Sequence, residues 1–292
     1  MQVNAQPQNA ARAVDEAIVS ADSGPLHSSY DGLLFDLDGT LIRGASAVPG
    51  APEALASLDL PVSFVTNNAS KAPADVAQLL CSLGFSAATD QVMTSSQAAV
   101  AIAEESLAEG TKALVVGAPA FAELVREAGF EVVSNADEEP EVVFQGLSKE
   151  LTWAELAEGA LAIRAGARWI ASNTDTTLPT ERGLLPGNGA FVKAMEVTTG
   201  QQPEVAGKPG AEILRRAASA IGSKRPLVIG DRLDTDIAGA CAAQMDSLLV
   251  LTGVSTEAEA HRADAGSRPT FVAPGLEALS LPLSTTEGDV HT

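Results

Sequence analysis

The stretch LLFDLDGTLIRG, Leu33 to Gly44, decides how this chain of 292 residues is read. It begins as a buried strand, Leu33-Leu34-Phe35, then sets Asp36 and Asp38 one residue apart and turns at Gly39-Thr40. Successive strand side chains alternate between faces, so the two carboxylates start out on the same side. Like charges that close resist ionising together unless a cation or a shared proton lies between them. The stretch therefore asks for a metal, a shared proton or both.

Outward from it, apolar runs of strand length alternate with helical patterns, which predicts a parallel sheet covered by helices on both faces. PVSFVTNNAS (Pro61 to Ser70) reads as the next strand and its exit. PADVAQLLCSLGF reads as an amphipathic helix, with Val76, Leu79, Leu80 and Leu83 on one face and Gly84 as its stop. Ser95 or Ser96 is the expected cap of the helix after that. From about Lys112 a second βα series begins and runs into the Gly/Pro/Thr-rich crossing TDTTLPTERGLLPGNGAF; the strands RPLVIGD and DSLLVLTG follow it. The expected class is α/β, a Rossmann-like parallel-sheet core with an inserted α/β cap. The expected division is a loose extension over 1–30 with a short helix near Ala10 to Val19, a core in two pieces (31–103 and 188–282), the insert at 104–187, and a loose tail at 283–292. Trp153 and Trp169 are read as core of the insert, and the three histidines as solvated.

The bulk numbers narrow the function. Lys and Arg number 18 against 38 Asp and Glu, a formal charge of -20. Such a field disfavours nucleic acid and anionic membranes as partners. An anionic substrate then needs a local reversal of sign, from a metal or from placed Lys and Arg. Two cysteines without a C-x-x-C exclude a disulfide framework and a cysteine zinc site. No run approaches a membrane span and the first residues lack a secretory pattern, so the expectation is a cytoplasmic protein.

In open parallel sheets ligands bind beyond the carboxyl ends of the strands. There this sequence places Asp36, Asp38 and Thr40, then Thr66 and Asn67, then Asp231, Asp234 and Asp236, with Lys208 in a Gly-Lys-Pro-Gly turn. If those ends share one sheet, the set suits phosphoryl transfer with Mg²⁺. Asp36 is the better nucleophile, at the strand end, and Asp38 the acid and base. Gly39 lets backbone N–H groups approach a phosphoryl oxygen. Thr66 offers a hydroxyl donor and Lys208 a point charge. Asp231 completes an oxygen shell for the metal, and Asp236 supports it one helical turn later.

DLDGTL, VTNNAS, GKP and GDRLDTDI, in that order, resemble the four motifs of the haloacid dehalogenase superfamily of aspartate-nucleophile phosphatases. The insert between the second and third motifs is similar to the NagD-like branch, which includes the 4-nitrophenylphosphatase and phosphoglycolate phosphatase types. The resemblance implies a phosphoaspartate on Asp36, acid/base work by Asp38, a phosphoryl group held by Thr66 with Asn67 and neutralised by Lys208, and Mg²⁺ bound by Asp36, the Asp38 carbonyl and Asp231. It makes the insert a cap, whose crossing presents Asn173, Asp175, Thr176 and Arg182 to the leaving group. That crossing looks most like small-molecule members such as actinobacterial glycerol-3-phosphate phosphatases. The expected substrate is a small phosphorylated metabolite of the glycerol 3-phosphate or 2-phosphoglycolate type, and caps of this kind also form homodimers. The competing readings are a phospho-receiver module and a scaffold without turnover. A receiver has no reason for the large insert or for a second Asp two residues on, and a scaffold is expected to lose Asp36 or Asp38; the chain retains both.

Overall fold

The computed structural model describes residues 24–180 and 182–281. In chain order come β1 (Gly32–Phe35), β2 (Ile42–Arg43), β3 (Ser46–Ala47), α1 (Ala51–Ala56), β4 (Val62–Thr66), α2 (Pro73–Ser82), β5 (Val92–Thr94) and α3 (Ser95–Glu104). The middle of the chain supplies β6 (Lys112–Val116), α4 (Pro119–Glu127), β7 (Glu131–Val133), β8 (Val142–Gln145), α5 (Trp153–Ala165), β9 (Arg168–Ala171), β10 (Thr177–Thr180), β11 (Gly183–Pro186), α6 (Asn188–Thr199) and β12 (Glu204–Val205). Then follow α7 (Ala211–Ala220), β13 (Pro226–Gly230), a π-helical turn at Leu233–Ile237, α8 (Ala238–Ala243), β14 (Asp246–Val250), α9 (Glu257–Arg262) and β15 (Phe271–Ala273).

The apolar strand runs pair as their composition predicts. Among the described residues a six-stranded parallel sheet has the order β15-β14-β13-β1-β4-β5. The period of two divides its side chains between layers. Leu33, Phe35, Phe64, Leu227 and Ile229 enter one cluster, while Leu34, Val65 and Val228 enter another. That second cluster continues through α3 and α7 into Val142, Phe144 and Ile170 of a five-stranded parallel sheet, β12-β9-β8-β6-β7. The far face of the five-stranded sheet packs on α5 and α6 through Ile163, Trp169, Val192 and Met195.

Chain direction in the six-stranded sheet determines where a ligand fits. From β1 the chain moves to β4 and β5 on one side; it later returns beside β1 as β13 and moves to β14 and β15 on the other. The crevice between β1 and β13 is therefore a topological switch point, open at the carboxyl ends of both strands.

Several expectations are corrected. Residues 24–30 are packed rather than loose: Leu26 and Tyr30 are buried in the core, and the His27 ring bonds the Leu279 carbonyl at 2.7 Å. Two apolar residues without a period gave no pattern to read there. The expected helix near Ala10 to Val19 and the tail at 283–292 lie outside the described residues. The cap of α3 is Thr94, which closes a box with Gln97, because strand and helix join without a loop and the last strand residue takes the role. The Gly/Pro/Thr-rich crossing is partly a hairpin, β10 paired with β11. Trp169 is core, but Trp153 is 82% exposed at the first turn of α5. Beyond residue 187, α6 and β12 pack and pair with the five-stranded sheet, and the periodicity of α6 does not reveal which sheet it covers. No helix among the described residues is long and apolar enough to cross a membrane.

Candidate active site

The switch point gathers the motif residues. Asp36 continues β1, its N–H bonding the Ile229 carbonyl of β13 at 2.8 Å. Asp231 follows β13 directly and is fully buried. Lys208 is also buried, and its Nζ donates to Asp36 Oδ1 at 2.5 Å, Asp236 Oδ1 at 2.7 Å and the Val65 carbonyl at 3.2 Å. Asp236 reaches inward from the π-helical turn, and its other oxygen accepts the Arg232 N–H. The chain turns away after Asp38 at Gly39, whose φ of 97° lies in the left-handed region. A Cβ there would collide with the Asp231 carboxylate, so glycine is what lets the two motifs touch.

One ammonium faces the carboxylates of Asp36, Asp231 and Asp236, whose oxygens lie within 4.8 Å of one another. Burial raises the proton affinity of Asp36, its carboxylate neighbours add to that, and Lys208 opposes it. Burial, then Asp236, pushes Asp231 up to about 6. The proton affinity of Lys208 rises as well: its burial favours the neutral amine, but Asp236 and Asp36 outweigh that and hold it charged. The surplus negative charge is what a divalent cation relieves. Asp231 Oδ1 points the same way, being buried without a hydrogen-bond partner among the described residues while Oδ2 accepts the Val254 N–H at 2.7 Å. Both oxygens of Asp236 are engaged, which leaves Asp36 and Asp231 as the carboxylates suited to hold the ion.

Asp38 is an exposed residue, yet enough chain crowds its carboxyl that desolvation raises its proton affinity, against the pull of Lys208 and Lys71. Thr66 is buried at the end of β4, and its Oγ1 accepts the Asn68 N–H at 3.1 Å, which leaves the hydroxyl proton to donate.

Asn67 differs from its expected part. Its side-chain oxygen accepts the Lys208 N–H at 2.8 Å, and its amide nitrogen donates to the Lys208 carbonyl at 2.9 Å and to both oxygens of Asp175 at 3.2 and 3.3 Å. With donors and acceptor consumed, the side chain has nothing to spare for a phosphoryl group. The Asn67 carbonyl accepts Asn173 Nδ2 and Ser95 Oγ, each at 2.6 Å. Asn173 and Asp175 thus reach the site at Asn67, and Asn188 Nδ2 holds the Asn173 carbonyl at 2.7 Å. Thr176 and Arg182 are exposed, before β10 and at the β10–β11 turn. Sequence reasoning read Ser95 only as a helix cap and passed over Asn188 and Arg232. Only Arg232 carried a signal, as the cation inside an acidic motif; it forks onto Asp234 at 3.0 and 2.8 Å.

Two family models match, one described as haloacid dehalogenase-like hydrolase over residues 33–131 and a second of the same kind over 205–279. The chain belongs to the haloacid dehalogenase-like hydrolases. It is 47% identical to the D-glycerol 3-phosphate phosphatase of Mycobacterium tuberculosis, over 86% of this chain and 71% of that protein. It is 38% identical to a 5'-nucleotidase of Bacillus subtilis, over 85% and 96% of the two chains. The crystal structure of the M. tuberculosis glycerol phosphate phosphatase in complex with magnesium superposes with a TM-score of 0.87 at 45% identity, covering 88% of this chain and 78% of that one.

Proposed function

We propose that this chain is a Mg²⁺-dependent phosphatase of small phosphomonoesters of the glycerol 3-phosphate or 2-phosphoglycolate type, working through a phosphoaspartate on Asp36. The observation that carries the reading is the buried Lys208 ammonium bridging Asp36 and Asp236 beside the unpartnered oxygen of Asp231. Asp36, the Asp38 carbonyl and Asp231 are the groups to hold Mg²⁺, which supplies charge neutralisation for the phosphoryl oxygens.

In the first half-reaction an Asp36 oxygen attacks phosphorus and the ester P–O bond breaks. Asp38 gives its proton to the departing alkoxide. Burial of the carboxyl raises its proton affinity, which favours the protonated form this step needs. In the second half-reaction the Asp38 carboxylate takes a proton from water as the water oxygen attacks phosphorus. The bond from phosphorus to Asp36 breaks, phosphate leaves and both carboxyl groups are restored. Thr66 and the backbone around Gly39 donate to the phosphoryl oxygens, and Lys208 balances their charge.

The residues of the five-stranded sheet, with the β10–β11 hairpin, act as the cap. Asn173 and Asp175 seat this part on the second motif, while Thr176 and Arg182 lie on its approach. The size of the cap favours a metabolite over a phosphoprotein. The test is phosphate release from glycerol 3-phosphate, 2-phosphoglycolate, 4-nitrophenyl phosphate, sugar phosphates and nucleotides, with Mg²⁺ and with EDTA. Selective Mg²⁺-dependent release of phosphate from one small ester supports the reading and names the substrate. Release from none of them overturns it.

A further inference from the structure

Asn67 makes an unusual set of contacts for a residue of a phosphate-binding motif. Its side chain grips the N–H and the carbonyl of one residue, Lys208, at 2.8 and 2.9 Å, as a strand neighbour would. The remaining amide hydrogen points to Asp175. Reversing the amide would set its oxygen against the Lys208 carbonyl and the Asp175 carboxylate, so the network admits one orientation. Position 207 leaves room for nothing more: a Cβ on Gly207 would lie 2.6 Å from Asn67 Oδ1 and 2.5 Å from the Ser172 carbonyl. Asn173 closes the other side by donating to the Asn67 carbonyl. The residue that presents the ammonium, Lys208, is thus joined through one side chain to the turn that follows β9 of the other sheet.

We propose that Asn67 is a positioning residue, which ties the Lys208 backbone to the Asn173–Asp175 turn so that the ammonium meets the substrate phosphoryl group only while that turn is seated. The proposal rests on the phosphatase reading. The physical case is the lysine stem. Four flexible carbons separate Nζ from the backbone, so the reach of the charge depends on where the stem begins. Without substrate, Nζ is held by Asp36, Asp236 and the Val65 carbonyl. An arriving phosphoryl group competes with Asp36 for it. A stem origin held at both peptide groups lets the ammonium change partners without the chain moving.

The experiment compares Asn67→Ala, Asp175→Ala and the isosteric Asn67→Asp in wild-type and Lys208→Ala backgrounds. The readouts are kcat and KM for 4-nitrophenyl phosphate, and hydrogen exchange of the backbone amides over residues 206–208 in the full chain. The expected result is a fall in kcat of about tenfold or more for Asn67→Ala and Asn67→Asp, with KM changed by less than about threefold. Asp175→Ala causes a smaller fall in kcat, and all three variants speed exchange at Lys208. In the Lys208→Ala background the Asn67 substitutions then lower kcat by less than about twofold, because their effect passes through the absent ammonium. A full tenfold loss in that background overturns the proposal, as does wild-type kcat in either Asn67 variant. Unchanged exchange at Lys208 in folded variants overturns it as well. Failure of wild-type turnover would refute the phosphatase reading, while the exchange data would still report on the tie between Asn67 and Lys208.

Discussion

The two parallel sheets of this chain are built alike and end differently. Each buries apolar strands between helices, and they share a continuous cluster that runs from Leu34 and Val228 to Phe144 and Ile170. At the carboxyl ends of the six-stranded sheet stand Asp36, Thr66 and Asp231. At those of the five-stranded sheet stand Gln145, Ser172 and Asn173, buried and neutral. The contrast shows that layered α/β packing leaves strand ends free to be chemically anything. In one sheet they concentrate charge around Lys208; in the other they form amide and hydroxyl contacts that position a turn. Substitutions at the first set of ends should act on turnover, and those at the second on stability or on seating of the turn.

The largest effect is expected from Asp36→Asn, which under the proposed mechanism removes the attacking oxygen, and which also removes the anionic partner of Lys208. Phosphate release should drop by about 10⁴-fold or more, with the protein still folded by circular dichroism. Chelation by EDTA should act at the same site and be reversed by added Mg²⁺, whereas the mutant should stay inactive at any Mg²⁺ concentration. A mutant with residual activity within tenfold of wild type would remove Asp36 from the mechanism.

Lys208→Met is expected next, at about 10²- to 10³-fold in kcat, the scale for losing one group aimed at developing charge. It also leaves Asp36 and Asp236 buried without their cation, so the midpoint of thermal unfolding should fall without Mg²⁺ and recover in part with it. Equal loss of stability with and without Mg²⁺ would mean that the ion does not share this cluster.

The five-stranded sheet supplies the opposite case. Trp169 Nε1 donates to Gln145 Oε1 at 3.0 Å in the buried layer, and Gln145 Nε2 has no partner among the described residues. Trp169→Phe removes the one donor that the described residues offer this acceptor and should lower stability by about 1–3 kcal/mol in a denaturant titration. The loss of kcat should stay within about twofold. A large kcat effect with unchanged stability would erase the distinction between the sheets.

Most of the catalytic half was legible in the sequence because its signals are local. An apolar run followed by Asp-x-Asp-Gly-Thr states both a strand and what stands at its end, and four such motifs in order imply one crevice. The side-chain partners of Asn67 were not legible because a Thr-Asn-Asn turn carries the same letters whether its amide faces a ligand or a neighbouring backbone. The partner that decides the matter, Lys208, is 141 residues away. Trp153 was misplaced for a related reason: a tryptophan at the start of a helix has no preceding turn to fix its face. The attachment of β12 to the five-stranded sheet depends on pairing with Ile170 and Ala171, and that of α6 on packing through Val192 and Met195, neither of which periodicity encodes.

The smallest expected effect tests the electrostatics of the open end of the site. Lys71 lies where its charge lowers the proton affinity of Asp38, while burial of the carboxyl raises it by more. Under the proposed mechanism Asp38 must enter the first half-reaction protonated, so kcat/KM should fall as pH rises through its raised pKa. Lys71→Met removes a positive charge that favours the carboxylate, so the pKa rises further and the alkaline limb of the pH profile moves up. For a pair this exposed to solvent the displacement should be a few tenths of a pH unit, and it should shrink as ionic strength approaches about 1 M, where screening extends over only about 3 Å. Movement of the limb to lower pH would contradict Asp38 as the acid, because loss of a nearby cation cannot make a carboxyl group release its proton more readily.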